Sequence, residues 1–424
     1  MRKFIQKQLA GHARRKILVQ KPVVVAVTGS VGKSSAKQAM GAVLARKFKV
    51  GANEKNYNNE VGLPLTILRL PAGRRSYWKW LKILARAWWK SGRTEADYPQ
   101  LLILEMAADH PGDIAYLTDI APPDIAVVTA IGESHVENFG SIANVAKEKQ
   151  VLVQRLGRDG VAILNHDDEL VWAMREKTKA KVMSYGFHEE ADVRAVEVSM
   201  HYDVESEDGC GLRLKIAAGG STIPVFLPKV LGRHAAYAAL AATAVGLAKG
   251  MNLVEIAEGL RAYEPPPGRT RCLAGIKRTL LIDDTYNASP RSTKAALAIL
   301  RDLPADGERQ RIAALGDMLE LGTLSVSGHE EVGREAAGVG LDLLVLVGER
   351  MGDAQSAALA AGFPADRLVH FSTTEEAGRF VQEKMKKGDI ILIKGSRGMH
   401  MDKVTKELMA EPLRAAELLV EAHE

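Results

Sequence analysis

The sequence holds only two cysteines in 424 residues, Cys210 and Cys272, far apart and without metal-ligand spacing. Neither a zinc site nor a disulfide framework is expected to organise the fold, and a reducing cytoplasm is the expected compartment. No apolar run approaches the roughly 20 residues needed to cross a bilayer. The start, MRKFIQKQLAGHARRKILVQK, is basic but lacks the apolar core and cleavage site of a secretion signal. Internal repeats are missing, and so is any DNA- or RNA-reading signature or aromatic–basic interleaving, so nucleic acid is not an expected partner. The net charge, +5, is small for this length and suits anionic ligands.

What is present is globular and segmented. An apolar fraction of 46% is ordinary, and the length calls for two or three domains. The run Val23–Val27 leads into TGSVGKSS (28–35), followed by a helical pattern with Ala36, Ala39, Met40, Val43, Leu44 and Phe48 on one face. Strand, glycine-rich loop, Lys-Ser and helix in that order make a phosphate-binding loop. Backbone N–H groups from Thr28, Gly29, Ser30, Val31, Gly32 and Ser35 can curl round phosphate oxygens, Lys33 can reach the β/γ-phosphates, and the Ser34 hydroxyl can bind Mg²⁺. The ligand is a nucleoside triphosphate.

Further apolar runs end in polar residues: Leu101–Leu104 at Glu105, Ile125–Val128 before the loop carrying His135, and Val161–Leu164 at Asn165. Polar groups gathered at strand ends suit a parallel sheet, whose ligands bind beyond the carboxyl ends of its strands. Between residues 184 and 231, alternation and the Gly219-Gly220 break predict a small antiparallel insertion. The segment Glu264-Pro265-Pro266-Pro267-Gly268 reads as a linker, after which strands end at Asp283-Asp284, Gly316-Asp317, Gly348-Glu349 and Lys394. The expected fold class is α/β: a P-loop ATPase domain with a mostly parallel sheet, then a doubly wound Rossmann-like domain. The expected segments are a basic helical stretch 1–21, a central domain 22–265 with insertions at 74–93 and 184–231, and a C-terminal domain 266–424.

Taken singly, the polar groups have ordinary readings. Glu105 could cap a helix, His135 could bond to loop backbone, and Lys149, Asp283-Asp284 and Lys394 could be solvated charges. Their combination says more. In order along residues 22–405 run TGSVGKSS, NYNNEVGLP (56–64), LEMAADHPGDI (104–114), ESHVENFGS (133–141), VAKEK (145–149), LNHDD (164–168), LGRH (231–234), PGR (267–269), DDTYNASP (283–290), LGDMLELG (315–322) and KGSRGMHMDKV (394–404). The chain resembles the Mur ligase family, ATP-dependent amide-forming enzymes of peptidoglycan synthesis. DDTYNASP with LGDMLELG and KGSR points to the branch that adds D-alanyl-D-alanine to a UDP-muramoyl tripeptide.

The resemblance implies an acyl-phosphate mechanism. It implies that Lys33 and Ser34 hold phosphates and one of two Mg²⁺ ions, that Glu105 and His135 serve the metals, and that Lys149 is carbamoylated into an anionic oxygen ligand. Asn58 or Asn59 would touch the γ-phosphate or acyl group. Arg269 and Asp284 would complete the nucleotide site from the C-terminal domain, by a swing of that domain. Lys394, Ser396 and Arg397 would position the incoming dipeptide. The competing readings are a relative acting on another amino acid or glycopeptide, a plain P-loop ATPase or kinase, and an inactive scaffold. The second domain argues against a simple kinase, and Lys33, Glu105, His135 and Lys149 together argue against the scaffold.

Three features depart from the family pattern. Relatives begin with a uridine-binding domain, where this sequence has a basic stretch of about 21 residues before the first strand. Ala235 stands where an adenine-reading Asn is usual, so adenine contacts would shift to Tyr286, Asn287 or Tyr237. A Trp-rich stretch, Tyr77–Trp89, is inserted before Glu105. There Arg75, Lys79, Lys82, Arg86 and Lys90 form one cationic helix stripe, with Ser76 as cap and Gly92 as stop. With the basic N-terminal helix it predicts either simple packing on the enzyme body or a patch that docks on the cytoplasmic membrane face or grips the substrate's carrier end. The enzyme is expected to be a cytoplasmic monomer.

Overall fold

The structure, a computed structural model, describes residues 2–53, 57–73, 76–132, 136–202, 209–303 and 309–420. The chain divides into two compact units, one of residues 1–196, 215–225 and 237–263, the other of residues 197–214, 226–236 and 264–424. The proline linker therefore opens the long third part of the second unit. Among the described residues no helix is long and apolar enough to cross a membrane.

In the first unit the strands are β1 (Val23–Thr28), β2 (Val50–Ala52), β3 (Leu101–Glu105), β4 (Ile125–Val128), β5 (Val161–Asn165) and β6 (Lys181–Gly186). They lie in the order β2-β3-β1-β4-β5-β6, every pair parallel. The sheet continues through β7 (Val193–His201), β8 (Gly211–Ala218) and β9 (Ser221–Pro228). The central strands are buried along almost their whole length, which is why they read as unbroken apolar runs. At β6 the sequence reading needs correction. The antiparallel insertion expected from Ser184 begins instead with a parallel pair, Tyr185 beside Val193 and Gly186 beside Arg194. A reciprocal clasp allows it: Ser184 donates its N–H and hydroxyl to the Asp192 carboxylate at 2.7 and 2.8 Å, and its Oγ accepts the Asp192 N–H at 2.9 Å.

Helices α1 (Arg2–Gln20), α2 (Lys33–Leu44), α3 (Gly62–Leu68), α4 (Tyr77–Ser91), α5 (Asp113–Ile120), the short α6 (Val136–Phe139) and α7 (Ile142–Gln154) belong to this unit. α4 starts and stops as the sequence predicts. Ser76 accepts the Lys79 N–H, and Gly92 ends the helix. α1 is built into the same core as α4, through Ile5, Leu9 and Ala13 against Ile83 and Ala87.

Cations from α1 and α4 close helix ends. The Lys16 amine, wholly buried, donates to the carbonyls of Lys90 and Arg93 (3.2 and 2.8 Å) at the end of α4 and to the Glu95 carboxylate (2.8 Å). The Lys90 amine does the same for the end of α3, at Leu68 and Arg69 (3.3 and 3.4 Å). Arg14 donates to the carbonyl of Asp119 near the end of α5 at 2.6 Å. Positive charge at a carbonyl-lined helix end is favourable.

The second unit carries β10 (Arg271–Ala274), β11 (Leu280–Asp284), β12 (Arg311–Gly316), β13 (Leu343–Val347), β14 (Leu368–Phe371) and β15 (Ile390–Lys394) in the order β10-β11-β15-β12-β13-β14. All pairs are parallel except β10 with β11. One apolar cluster covers each face of the sheet, the doubly wound arrangement expected. One expectation is overturned: Cys210 and Cys272 form a disulfide. Their 62-residue separation hides their closeness, which Lys229 creates by donating its N–H to the Cys210 carbonyl and accepting the Cys272 N–H. Cysteine usage therefore gives no argument for a reducing compartment.

Removing the Lys16 amine strands two carbonyls and a carboxylate around a buried site. Lys16→Met is expected to lower stability by about 3 kcal/mol, read as a lower urea midpoint, while Lys7→Met on the exposed face leaves the midpoint in place. Equal midpoints would show that α1 is not anchored as described.

Candidate active site

Backbone geometry sets the first part of the site. Gly29 has φ +149°, and a Cβ there would lie 1.9 Å from the Thr129 hydroxyl oxygen. That hydroxyl donates to the Val31 carbonyl at 2.6 Å and holds the loop against β4. Gly32, at φ +86°, turns the chain into α2. Thr28 is buried and donates to the Met106 carbonyl at 2.8 Å, and the Ser30 N–H bonds to the Ala130 carbonyl. Val31 is exposed and Ser35 half-buried. The Lys33 amine folds back on the loop, 2.7 Å from the Gly29 carbonyl.

Glu105, at the end of β3, is the centre of this cluster. One carboxylate oxygen accepts the Ser34 hydroxyl at 3.0 Å and lies 3.4 Å from the Lys37 amine. The other accepts the Asn58 amide at 3.0 Å. Asn53 fixes the backbone, accepting the Glu105 N–H and donating to its carbonyl, both at 3.0 Å. Burial pushes the Glu105 pKa up, but Lys37, Lys33 and the hydrogen bonds from Asn58 and Ser34 outweigh it and hold the group below the usual carboxylate range. An ionised carboxylate and a hydroxyl 3.0 Å apart beside a phosphate loop fit a hard divalent cation. The two asparagines are separated by role: Asn58 faces Glu105, whereas the Asn59 side chain accepts the N–H groups of Val61 and Gly62 as α3 begins.

Lys149 is buried on α7. Desolvation, then the charge of Lys33, lowers its pKa to about 7 against the pull of Glu148 and Asp109. Among the described residues its amine makes no hydrogen bond or ion pair. Lys147 is exposed. The neighbouring Glu148 carboxylate takes the N–H groups of Gly112 and Ile114, each at 2.8 Å, fixing the loop beyond Glu105. His135 lies outside the described residues, as does Arg75.

Sequence reasoning missed Lys37, Asn53, Thr129 and Glu148. Lys37 had a signal, since it stands one helical turn after Lys33, next to the apolar face. The others act through the backbone and leave no motif. The LNHDD segment also works structurally: Asn165 donates to the Thr129 carbonyl, Asp168 accepts the Ile131 N–H, and Asp167 accepts the Tyr237 hydroxyl at 2.9 Å.

In the second unit, the acidic end of β11 organises residues 268–270. The Asp283 carboxylate accepts the Gly268 N–H (2.9 Å) and the Thr285 hydroxyl (2.7 Å), and Asp284 accepts the Thr270 N–H (3.2 Å). Burial raises the Asp283 pKa to about 6, with Thr285 and Gly268 pulling it down. Lys394 is buried, donating to Asp284 at 2.6 Å and to the Asn287 carbonyl at 2.9 Å. The Arg269 guanidinium stacks on Tyr286, 4.1 Å from the ring centre. The Thr270 hydroxyl donates to the Arg269 carbonyl, so His234 Nε2, 2.9 Å away, carries the proton it gives to Thr270. Burial lowers the pKa of that imidazole against the pull of Asp284. The Ser396 hydroxyl oxygen accepts the Leu319 N–H at 2.8 Å, and Arg397 pairs with Asp402 at 3.4 Å. Thus Arg269, Asp284, Tyr286, Asn287 and Lys394 form one connected group, with Ser396 and Arg397 on the following loop.

Known proteins match this architecture. The Mur ligase middle domain matches residues 90–246, and the Mur ligase glutamate ligase domain matches residues 268–397. The UDP-N-acetylmuramoyl-tripeptide--D-alanyl-D-alanine ligase of Bacillus subtilis is 32% identical over 390 residues, covering 92% of this chain and 76% of the relative. Crystal structures of MurF from Acinetobacter baumannii (TM-score 0.76, 28% identity, 94% and 79% of the two chains) and of MurF ligase from Thermotoga maritima in complex with ADP (0.76, 26%, 95% and 83%) share the fold. With both domain matches in sequence order and a relative this similar over most of its length, the chain belongs to the Mur ligase family.

Proposed function

We propose that the protein is an ATP-dependent carbon–nitrogen ligase that adds D-alanyl-D-alanine to a UDP-N-acetylmuramoyl tripeptide in the cytoplasm, where ATP and nucleotide-linked precursors are made. The observation that carries this reading is a buried, unionised-prone Lys149 beside a complete phosphate loop. A plain P-loop hydrolase has no use for it. The similarity to D-alanyl-D-alanine ligases over most of the chain supports the substrate pair.

The chemistry proceeds in two displacements. An oxygen of the tripeptide's terminal carboxylate attacks the γ-phosphorus of ATP, the bond to the β-phosphate oxygen breaks, and ADP leaves. The dipeptide's amine nitrogen then attacks the acyl carbon, loses a proton, and expels inorganic phosphate with the electrons of the broken C–O bond. The protein's task is to place the groups and balance charge on the transferred phosphoryl. The loop N–H groups and Lys33 hold the phosphates. Ser34 and Glu105 would hold Mg²⁺, with His135 assigned to the same metals, and bound Mg²⁺ supplies positive charge at the phosphate oxygens. Asn58 keeps the second Glu105 oxygen aimed. Arg269, Asp284, Tyr286 and Asn287 are assigned to the nucleotide. Lys394 sets Asp284 and the 287 carbonyl, and Ser396 and Arg397 are assigned to the dipeptide.

Lys149 has a specific part. An ammonium would repel Mg²⁺, while a neutral amine can attack CO₂ and become a carbamate, an anionic oxygen ligand. A pKa lowered to about 7 leaves the free amine abundant at neutral pH.

Two outcomes follow. ADP and phosphate are expected to form only when acceptor, D-alanyl-D-alanine and Mg²⁺ are all present, and Lys33→Ala to lower the rate by at least about a thousandfold. Equal turnover without acceptor would point to a simple ATPase. Lys149→Ala is expected to lose activity and to regain part of it with a short carboxylic acid at high concentration, and wild type supplied with ¹³C-labelled CO₂ to show a carbamate carbon by NMR that the variant lacks. A fully active Lys149→Ala variant would remove the lysine from the metal site.

A further inference from the structure

The surface made by α1 and α4 has no part in the ligase chemistry, yet its composition is far from that of an ordinary solvated face. Six of the fourteen exposed large hydrophobic side chains among the described residues fall on these two helices. Trp78 is 73% exposed, Trp88 66% and Trp89 52%, with Leu81 beside them. Positions 78, 81, 85, 88 and 89 follow helical spacing, so they share one side of α4, opposite the Ile83 and Ala87 that enter the core. On α1, Phe4 and Leu18 are exposed at 60% and 72%. Scattered exposed apolar residues mean nothing, but a concentration of large apolar side chains on two packed helices, with tryptophans along α4, marks a contact surface.

The charge on this surface is of one sign. Neither α1 nor α4 contains an aspartate or glutamate. The acidic groups that face them from neighbouring elements are Glu60 toward Gln6, Glu95 toward Lys16 and Lys90, and Asp119 toward Arg14. None of these reaches the outer cations. Lys3, Lys7, Lys79, Lys82 and Arg86 are exposed and make no ion pair among the described residues. On α4 the cationic positions 79, 82 and 86 flank the Trp78–Trp89 strip rather than lying across the helix from it.

We propose that this α1–α4 face docks the enzyme on an anionic bilayer surface. α4, with 15 residues, is about 22 Å long and too short to span. It would lie in the interface plane, tryptophan rings at headgroup depth and lysine and arginine amines against lipid phosphates. Tryptophans flanked by unpaired cations of one sign match a uniformly negative, apolar-backed surface. The inference does not depend on the ligase reading, because it uses no residue of that site.

Co-sedimentation of the full chain with phosphatidylcholine vesicles, with and without phosphatidylserine, decides it. Wild type is expected in the pellet only with phosphatidylserine, to be released by high salt, and to show a blue-shifted tryptophan emission when bound. Replacing Trp78, Trp88 and Trp89 together by Ser is expected to weaken binding at least about tenfold, and reversing Lys79, Lys82 and Arg86 to Glu to abolish it. Both variants should keep the wild-type melting temperature and ATP turnover rate. Wild type left in the supernatant with anionic vesicles at low salt would overturn the proposal and leave the face to a protein partner. Undiminished vesicle binding by both variants would overturn it as well.

Discussion

The Glu105 carboxylate is the constraint on which the first unit's site depends. It sits at the carboxyl end of β3, paired in register with Val27 of the strand that feeds the phosphate loop. Burying a carboxylate there is unfavourable unless it is answered by charge and hydrogen bonds. Ser34 and Lys37 come from the helix after the loop, Asn58 from the segment before α3, and Asn53 from the end of β2. Three separate pieces of chain converge because one buried negative charge requires them. The same charge is what a divalent cation would take up, so the group that holds the site together also prepares it.

The two units repeat this logic with opposite detail. In the second, Asp283 and Asp284 end β11 and turn inward on their own chain, fixing residues 268–270 through backbone N–H groups. Lys394 neutralises Asp284 from the neighbouring strand β15. Arg269 is thereby presented on a loop whose backbone is fixed at Gly268 and Thr270, with Tyr286 under its guanidinium. A lysine such as Lys394 that looks like a substrate group in the sequence is here a positioning residue, because its amine is consumed within the fold.

Strand runs were legible because buried parallel strands carry nearly continuous apolar residues, and their polar terminators mark the ligand edge. TGSVGKSS and Glu105 were legible because phosphate and metal chemistry restrict residue choice at fixed spacing. Lys16 was not. It sits among exposed basic neighbours in α1, and nothing in its sequence context separates a buried helix-end amine from a solvated one. Asn53, Thr129 and Glu148 escaped for a related reason: they act on backbone groups brought near by the sheet, and backbone carries no sequence signal. The Cys210–Cys272 bond escaped because spacing in sequence does not report closeness in space. The parallel start of β7 escaped because a six-residue connection ordinarily implies a hairpin, and the Ser184–Asp192 clasp that permits the alternative is a tertiary detail.

The central claim is that the acceptor's own carboxylate is activated by phosphoryl transfer at the loop of residues 28–35. Labelling that carboxylate with oxygen-18 follows the transfer atom by atom. If an acyl phosphate forms and is broken by the dipeptide's amine, one labelled oxygen appears in inorganic phosphate for each amide made. Phosphate that carries no label, released while ATP is consumed, would mean that water and not the acceptor attacks the γ-phosphate, and would contradict the account.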